Sequence, residues 1–313
     1  MSLHIYGAVV THHGTAANNR AETEGNITTL QKLLWFGKVH SSVSAEAIRF
    51  AIRRRLAEHE PTNRRWDEDL RMNVWADPIF ESWASKTGKP FIDDDILGFM
   101  SADAAKEENG PETAPEPDEK KKPRAKGTTK VRRAVLEVTR AISLSPYGGD
   151  VTFNAASPGA TPSAQKKGSN PVPYGTELHA TRYQYGFALT PSALHKPERA
   201  AVAIESLCSL GEVAGNHGRF LYDFSPESIV FRVTHDPAPR LLYLFEGGGT
   251  TVDAPTLLAR VKSGDLPAKE LIIAGAFSQT STAREVAALG ATLEPGVRSA
   301  ARLVCERIAA GEG

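Results

Sequence analysis

The sequence predicts an α+β fold, an antiparallel sheet with helices on one face and long insertions between its strands. Three observations carry this. Strand-length runs recur along the chain, at Leu3–Val10, Tyr183–Leu189 and Ser228–His235. Helical spacing fills Ser44–His59 and the stretch opened by Pro197. Other segments are too polar to join any core. In order these give strand, helix, a paired-strand region, helix and strand. That is the order of a four-stranded ferredoxin-like or RRM-like sheet.

The elements follow in turn. "LHIYGAVV" (3–10) carries Ile, Val and Tyr in strand-like alternation. "NITTLQKLLWFG" (26–37) places Ile27, Leu30, Leu33 and Leu34 at helical spacing, predicting a helix closed by Gly37. "SAEAIRFAIRRRLAEH" (44–59) is the best-marked helix. Ser44 is its N-cap, Glu46 sits in the first turn, and Val43 can staple to Ile48. Ile48, Ile52 and Leu56 form its buried stripe, with Arg49 and Arg53 in a row along one edge.

Residues 60–127 read as a helical insertion with a flexible loop at about 102–130, where Pro, Glu and Lys replace large apolar residues. Lys120–Arg133 holds eight Lys or Arg and no acid, a solvated loop or a basic arm. Residues 145–177 read as a long hairpin excursion with Lys166 and Lys167 at its tip. Beyond it, Tyr183, Tyr185, Phe187 and Leu189 share one strand face, with Arg182 and Gln184 on the other. "SIVFRVTH" and "RLLYLFE" read as strands. Residues 247–313 supply a short strand at "LIIAG" and two helices, 281–290 and 296–311.

Composition narrows the function. The 313 residues are 41% hydrophobic and 24% charged, with 37 basic against 37 acidic side chains, so no overall positive charge advertises nucleic acid. Cys208 and Cys305, the two cysteines, stand far apart in helical segments, which argues against a zinc ribbon or a disulfide scaffold. Neither a leader peptide nor a membrane span is expected, and the natural location is cytoplasmic. His12 and His13 are neighbours in extended chain, so they point apart and cannot readily share a metal. Asp93–Asp95 lack the spacing of a calcium loop; at least one reads as a helix N-cap, and the set as structural or solvated acids. The glycines of "YLFEGGGTTVD" match no phosphate-loop motif, and no nucleophile elbow occurs.

A binding vocabulary is left. Asn18, Asn19, Arg20 and Asn26 offer donors suited to phosphate, sugar and base edges. Lys32, His40, Arg49, Arg53, Lys166 and Lys167 add cations. Asn216, His217 and Arg219 lie in a glycine-flanked turn, where backbone can approach a ligand closely.

"THHGTAANNRAETEGNITTLQKLLWFGKVHSSVSAEAIRFAIR", "RAISLSPYGGDVTFNA", "ELHATRYQYGFAL" and "GNHGRFLYDFSPESIVFRVTHDPAPRLLY" together resemble the DevR-type CRISPR-associated proteins. These are type I-B members of the Cas-seven family, the backbone subunits of Cascade. The resemblance runs from Leu3 to about Glu246. It implies one elaborated RRM-like palm over residues 1–313, with fingers in 60–127 and a thumb in 145–177. It further implies a non-catalytic subunit that binds crRNA, stacks with copies of itself and other Cascade subunits, and presents guide bases to target DNA. No cofactor, metal or membrane enters that picture. The palm side maps to Asn18–Asn26 and the helix carrying Ser44, Arg49 and Arg53, and the thumb tip to Lys166 and Lys167. The alternatives are a metal-dependent RNA-cleaving relative on the same scaffold, or a DNA- or protein-binding regulator.

Overall fold

Strand β1 (His4–Thr11) organises the sheet and is buried on both faces from Ile5 onward. A strand between two packed layers must be apolar almost throughout, and "IYGAVV" meets that demand. The computed structural model describes residues 1–17, 23–85, 87–102, 129–157, 172–213, 220–247 and 251–313.

Among those residues the main sheet has nine strands. After β1 come β2 (Lys32–Trp35), β3 (Lys38–Val43), β4 (Leu136–Val138) and β5 (Ala141–Ser143). They are followed by β6 (Tyr183–Leu189), β7 (Pro226–Thr234), β8 (Leu271–Gly275) and β9 (Thr292–Glu294). The spatial order is β9-β8-β7-β1-β6-β5-β3-β2, with β4 also paired to β6. Only the β8–β9 pair is parallel within this sheet.

The helices are α1 (Ala45–Leu56), α2 (Ile92–Leu97), α3 (Arg199–Cys208), α4 (Pro255–Lys262), α5 (Ser281–Ala288) and α6 (Val297–Ala310). Thus β1, α1, β5, β6, α3 and β7 succeed one another with insertions, and their strands lie in the order β7-β1-β6-β5.

Helices were expected on one face, but both faces are covered. On the first, Ile5 and Val9 pack with Ile48, Ile52 and Leu56 of α1, Ile204 and Leu207 of α3, and Val304 of α6. On the second, Tyr6, Ala8 and Val10 meet Leu241, Phe245, Leu257, Phe277 and Val286 from the C-terminal third. Each such fully buried side chain contributes about 1.5–3 kcal/mol relative to exposure, so the C-terminal segment is part of the core.

Other expectations are corrected. Residues 26–37 form no helix: Ile27–Thr28 is a short strand, and β2 and β3 make a hairpin turning at Phe36-Gly37. Both turn residues have positive φ, 47° and 76°, the backbone that matches strand twist in a two-residue turn. Leu34 and Phe36 are largely exposed, so the apparent helical stripe never becomes a buried face. The described part of 60–127, read as helical, contains the hairpin Arg64–Asp67 with Met72–Trp75, a single turn at Glu81–Ala84, α2, and strand Phe99–Ala102. That strand pairs with Thr129–Arg132. Residues 103–128, including most of the expected flexible loop, lie outside the described residues. "RLLYLFE" is not a strand, because positive φ at Arg240 and Tyr243 breaks the extension, leaving one bridge between Glu246 and Asp253. No helix among the described residues is long and apolar enough to cross a membrane.

Gly7 sits opposite Phe187, whose ring occupies the space a Cβ would need. Gly7→Ala is therefore expected to lower stability by about 1–3 kcal/mol, read from urea unfolding, while the far-UV circular dichroism stays that of the parent.

Candidate nucleic-acid interface

The N-terminal polar loop and the long hairpin meet in a separate four-stranded sheet. Val151–Ala156 pairs antiparallel with Val172–Glu177, which pairs in parallel with Ile27–Thr28, which pairs with Thr23–Glu24. Asn26 is exposed at the turn of this loop, and its carbonyl accepts a 2.8 Å hydrogen bond from the Gly175 N–H. Backbone ladders therefore fix the flanks of 18–22 and of 158–171 against one another.

The base of the hairpin is held by charge. Lys32 Nζ donates to both Glu177 oxygens at 2.7 and 2.8 Å, and the Leu30 N–H donates to Glu177 at 2.7 Å. Lys32 also lies 5.0 Å from the Tyr147 ring centroid. Burial would raise the Glu177 carboxyl, but the Lys32 and Leu30 donors outweigh it and hold it below its ordinary range.

Behind this base runs a buried polar network. Ser41 Oγ is 2.7 Å from His179 Nδ1 and 2.8 Å from the Tyr183 hydroxyl. Ser145 Oγ is 3.2 Å from His179 Nε2 and donates to Thr181 at 2.7 Å. Burial lowers the His179 pKa, favouring the neutral ring that such a chain of hydroxyls requires. The β1–β7 register shifts at Val10/Thr11, an irregularity that puts the Thr11 hydroxyl within 2.7 Å of Tyr222 and lets it accept from the Tyr183 N–H at 2.9 Å. The chain thus leaves the sheet toward residues 12–17 from a fixed point.

The other expected residues divide clearly. His40 is buried, and its Nδ1–H donates to the Ser143 carbonyl at 2.7 Å. Ser44 caps α1, accepting from the Ala47 N–H at 3.2 Å. Arg49 donates to the Leu97 carbonyl, and Arg53 Nε donates to Asp93 at 3.0 Å. Burial lowers the pKa of both guanidinium groups. Asn26 and Lys32 thus meet the hairpin base, whereas Arg49 and Arg53 face α2. Asn18, Asn19, Arg20, Lys166, Lys167, Asn216, His217 and Arg219 lie outside the described residues.

Asp93–Asp95, expected as an N-cap and as structural or solvated acids, are structural and not solvated: they are buried in the first turn of α2, whose N-cap is Phe91. Asp93 accepts from Arg53 and from the N–H groups of Asn63 and Arg64 at 2.7–3.1 Å. Asp94 accepts from Asn63 Nδ2 at 2.9 Å. Asp95 receives Arg132 and Arg199 at 2.8 and 3.0 Å, with the His195 and Lys196 N–H groups. Burial, then the charge of Asp93, pushes the Asp94 pKa up to about 7. Among the described residues no three His, Cys, Asp or Glu side chains converge as a metal would require.

Sequence reading missed Glu177, Tyr147, Ser145, His179 and Tyr222. The signal for some was present in "ELHATRY", where polar residues alternate beside a buried strand.

No family model matches the chain. The CRISPR-associated protein Cas7/Cst2/DevR of Myxococcus xanthus (strain DK1622) is 60% identical over 314 residues, spanning 98% of each chain. Among solved structures, a chain of a CRISPR RNA-guided surveillance complex is similar with a TM-score of 0.55 at 12% identity, over 98% of this chain and 99% of that one. A chain of a CRISPR RNA-guided surveillance complex in a pre-nicking state gives 0.58 at 12% identity, over 97% and 99%.

Glu177→Gln is expected to speed amide exchange in residues 27–35 and 172–178 at pH 7. The gap from the parent should close as pH falls, because the depressed carboxylate contributes only where it is ionised. Asp94 has the opposite sign. Its raised pKa makes stability fall as pH climbs from about 4 to 7, so Asp94→Asn should flatten that fall relative to the parent in denaturant titrations across this range.

Proposed function

This chain belongs to the Cas7/Cst2/DevR family of CRISPR-associated proteins, and on that premise we propose that it is a non-catalytic backbone subunit of a type I Cascade surveillance complex. It binds crRNA, and copies of it stack along the guide beside the other Cascade subunits. The guide bases left outward pair with target DNA. The cytoplasm is the compartment this role requires. The near-full-length identity to the Myxococcus protein carries the reading.

The fold supports it. The order β7-β1-β6-β5, with α1 and α3 as the connections, supports an RRM-like sheet, and with it the reading of residues 1–313 as one palm with inserted fingers and thumb. The C-terminal layer that covers the second sheet face is an addition to that plan.

The contact residues follow from chemistry. Asn18, Asn19, Arg20 and Asn26 form the palm side of the cradle, and Ser44 and Arg49 on α1, which already hold the Ala47 N–H and the Leu97 carbonyl, support it from behind. Lys166 and Lys167 at the thumb tip meet the phosphates of the same strand. Lys32, His40 and Arg53 act from behind as positioning residues, because their polar atoms already hold protein groups. Asn216, His217 and Arg219 complete the set from their glycine-flanked turn. A metal-dependent nuclease finds no support in Asp93–Asp95, whose oxygens receive N–H donors.

Coexpression with its partner subunits and a guide precursor tests the reading. Several copies on one nuclease-protected RNA, uncleaved in Mg²⁺, are the expected result. Replacing Lys166 and Lys167 by alanine should weaken binding and reduce the slope of log affinity against log salt by about 1.4. A monomer free of RNA under coexpression overturns the proposal, as does RNA shortened on adding metal.

A further inference from the structure

A second cationic surface lies along the C-terminal half of α1. Along α1, Phe50, Arg53, Arg54 and Ala57 recur at helical spacing on a face turned away from Ile48, Ile52 and Leu56. Facing them is the strand Arg64–Asp67, and between the two runs an open groove of about 730 Å³. Its walls carry Arg53, Arg54, Arg64 and Arg65 with the partly exposed rings of Phe50 and Trp66.

The charges separate in an informative way. Arg53 is committed to Asp93, and Glu58 on the groove wall is paired with Arg55 at 2.7 Å. Among the described residues no carboxylate forms an ion pair with Arg54, Arg64 or Arg65, and Glu68 is the one other acid along the groove. Three guanidinium groups therefore face one carboxylate, in a chain of zero formal charge. The helix dipole accounts for arginines in the last turn of α1. It does not account for Arg64, Arg65 and Trp66, which arrive from the hairpin. Ala57 is the one aliphatic side chain in the lining, so the apolar surface there is mostly that of the Phe50 and Trp66 rings and the arginine stems. Exposed aromatic faces beside guanidinium groups that pair with no carboxylate, Arg64 lying 5.5 Å over the Trp75 ring, are the chemistry of stacked bases and their phosphates.

We propose that this groove binds single-stranded nucleic acid as a second site, with bases stacked on Trp66 and Phe50 and phosphates held by Arg54, Arg64 and Arg65. The helix rises about 1.5 Å per residue, so the groove's α1 wall, Phe50 to Ala57, stands about 9–20 Å along the axis from the Ser44 cap. The inference rests on these side chains and not on which strand the cradle holds.

The test uses the full chain, both as purified alone and loaded with RNA. Labelled oligo(U) and oligo(dT) carrying one 5-iodouracil base are titrated and crosslinked, and the crosslinks are mapped by mass spectrometry. Crosslinks at Trp66 or Phe50 in either state are expected. The two oligonucleotides tell RNA from DNA as the strand preferred. Trp66→Ala should lower affinity about tenfold, and Arg54→Gln with Arg65→Gln should reduce the salt slope by about 1.4. Since these side chains are exposed, thermal melting of the variants should match the parent. Affinity unchanged in both variants overturns the proposal, as does binding of a polyglutamate peptide in place of either oligonucleotide. Loss of the cradle's RNA with crosslinks at Trp66 intact would count against the function proposed above and leave this site standing.

Discussion

The buried carboxylates of Asp93, Asp94 and Asp95 are what the inserted half of the molecule hangs on. Three acids in one helical turn, removed from water, repel each other unless donors surround them. Here the donors come from elements distant in sequence: Arg53 of α1, Asn63 and Arg64 where the hairpin begins, Arg132 of the returning strand and Arg199 of α3. Arg199 is itself buried, and a carboxylate on Glu60 completes its coordination at 2.6–3.0 Å. Removing one partner from such a cluster typically costs 3–5 kcal/mol, because an uncompensated charge stays behind. Ile92, Ile96 and Leu97 of α2 enter the main core, and Phe80 and Phe99 stack beside it. Charge complementarity adds to that apolar contact and ties α2 to α1, α3 and the returning strand.

That arrangement explains what could be read in advance. Helix α1 and strands β6, β7 and β8 were legible because their periodicity coincides with burial, from Ile48-Ile52-Leu56 to "LIIAG". Residues 26–37 were not, because four apolar residues at helical spacing look the same whether or not they share a buried face. The deciding feature was Phe36-Gly37, where both residues take positive φ. Such a turn is readily foreseen for Asn-Gly and poorly for Phe-Gly.

The interface was legible to a different degree. Composition marks Lys32, His40 and Arg53 as polar, yet says nothing of whether a side chain answers to a ligand or to its own protein. Glu177, Ser143 and Asp93 give that answer from 40 to 145 residues away. Residues that hold a binding surface in shape and residues that touch the ligand share one chemistry, and three-dimensional neighbours tell them apart.

The parallel pairing of Ile27–Thr28 with Gly175–Thr176 has an evolutionary consequence. It joins the N-terminal loop to the hairpin through main-chain atoms, which every residue but proline supplies alike. Side chains on these strands are then free to drift while the two segments stay yoked. Divergent relatives can re-tailor both ends of such a grip independently, provided the strands keep their length and exclude proline from the positions of the parallel pair.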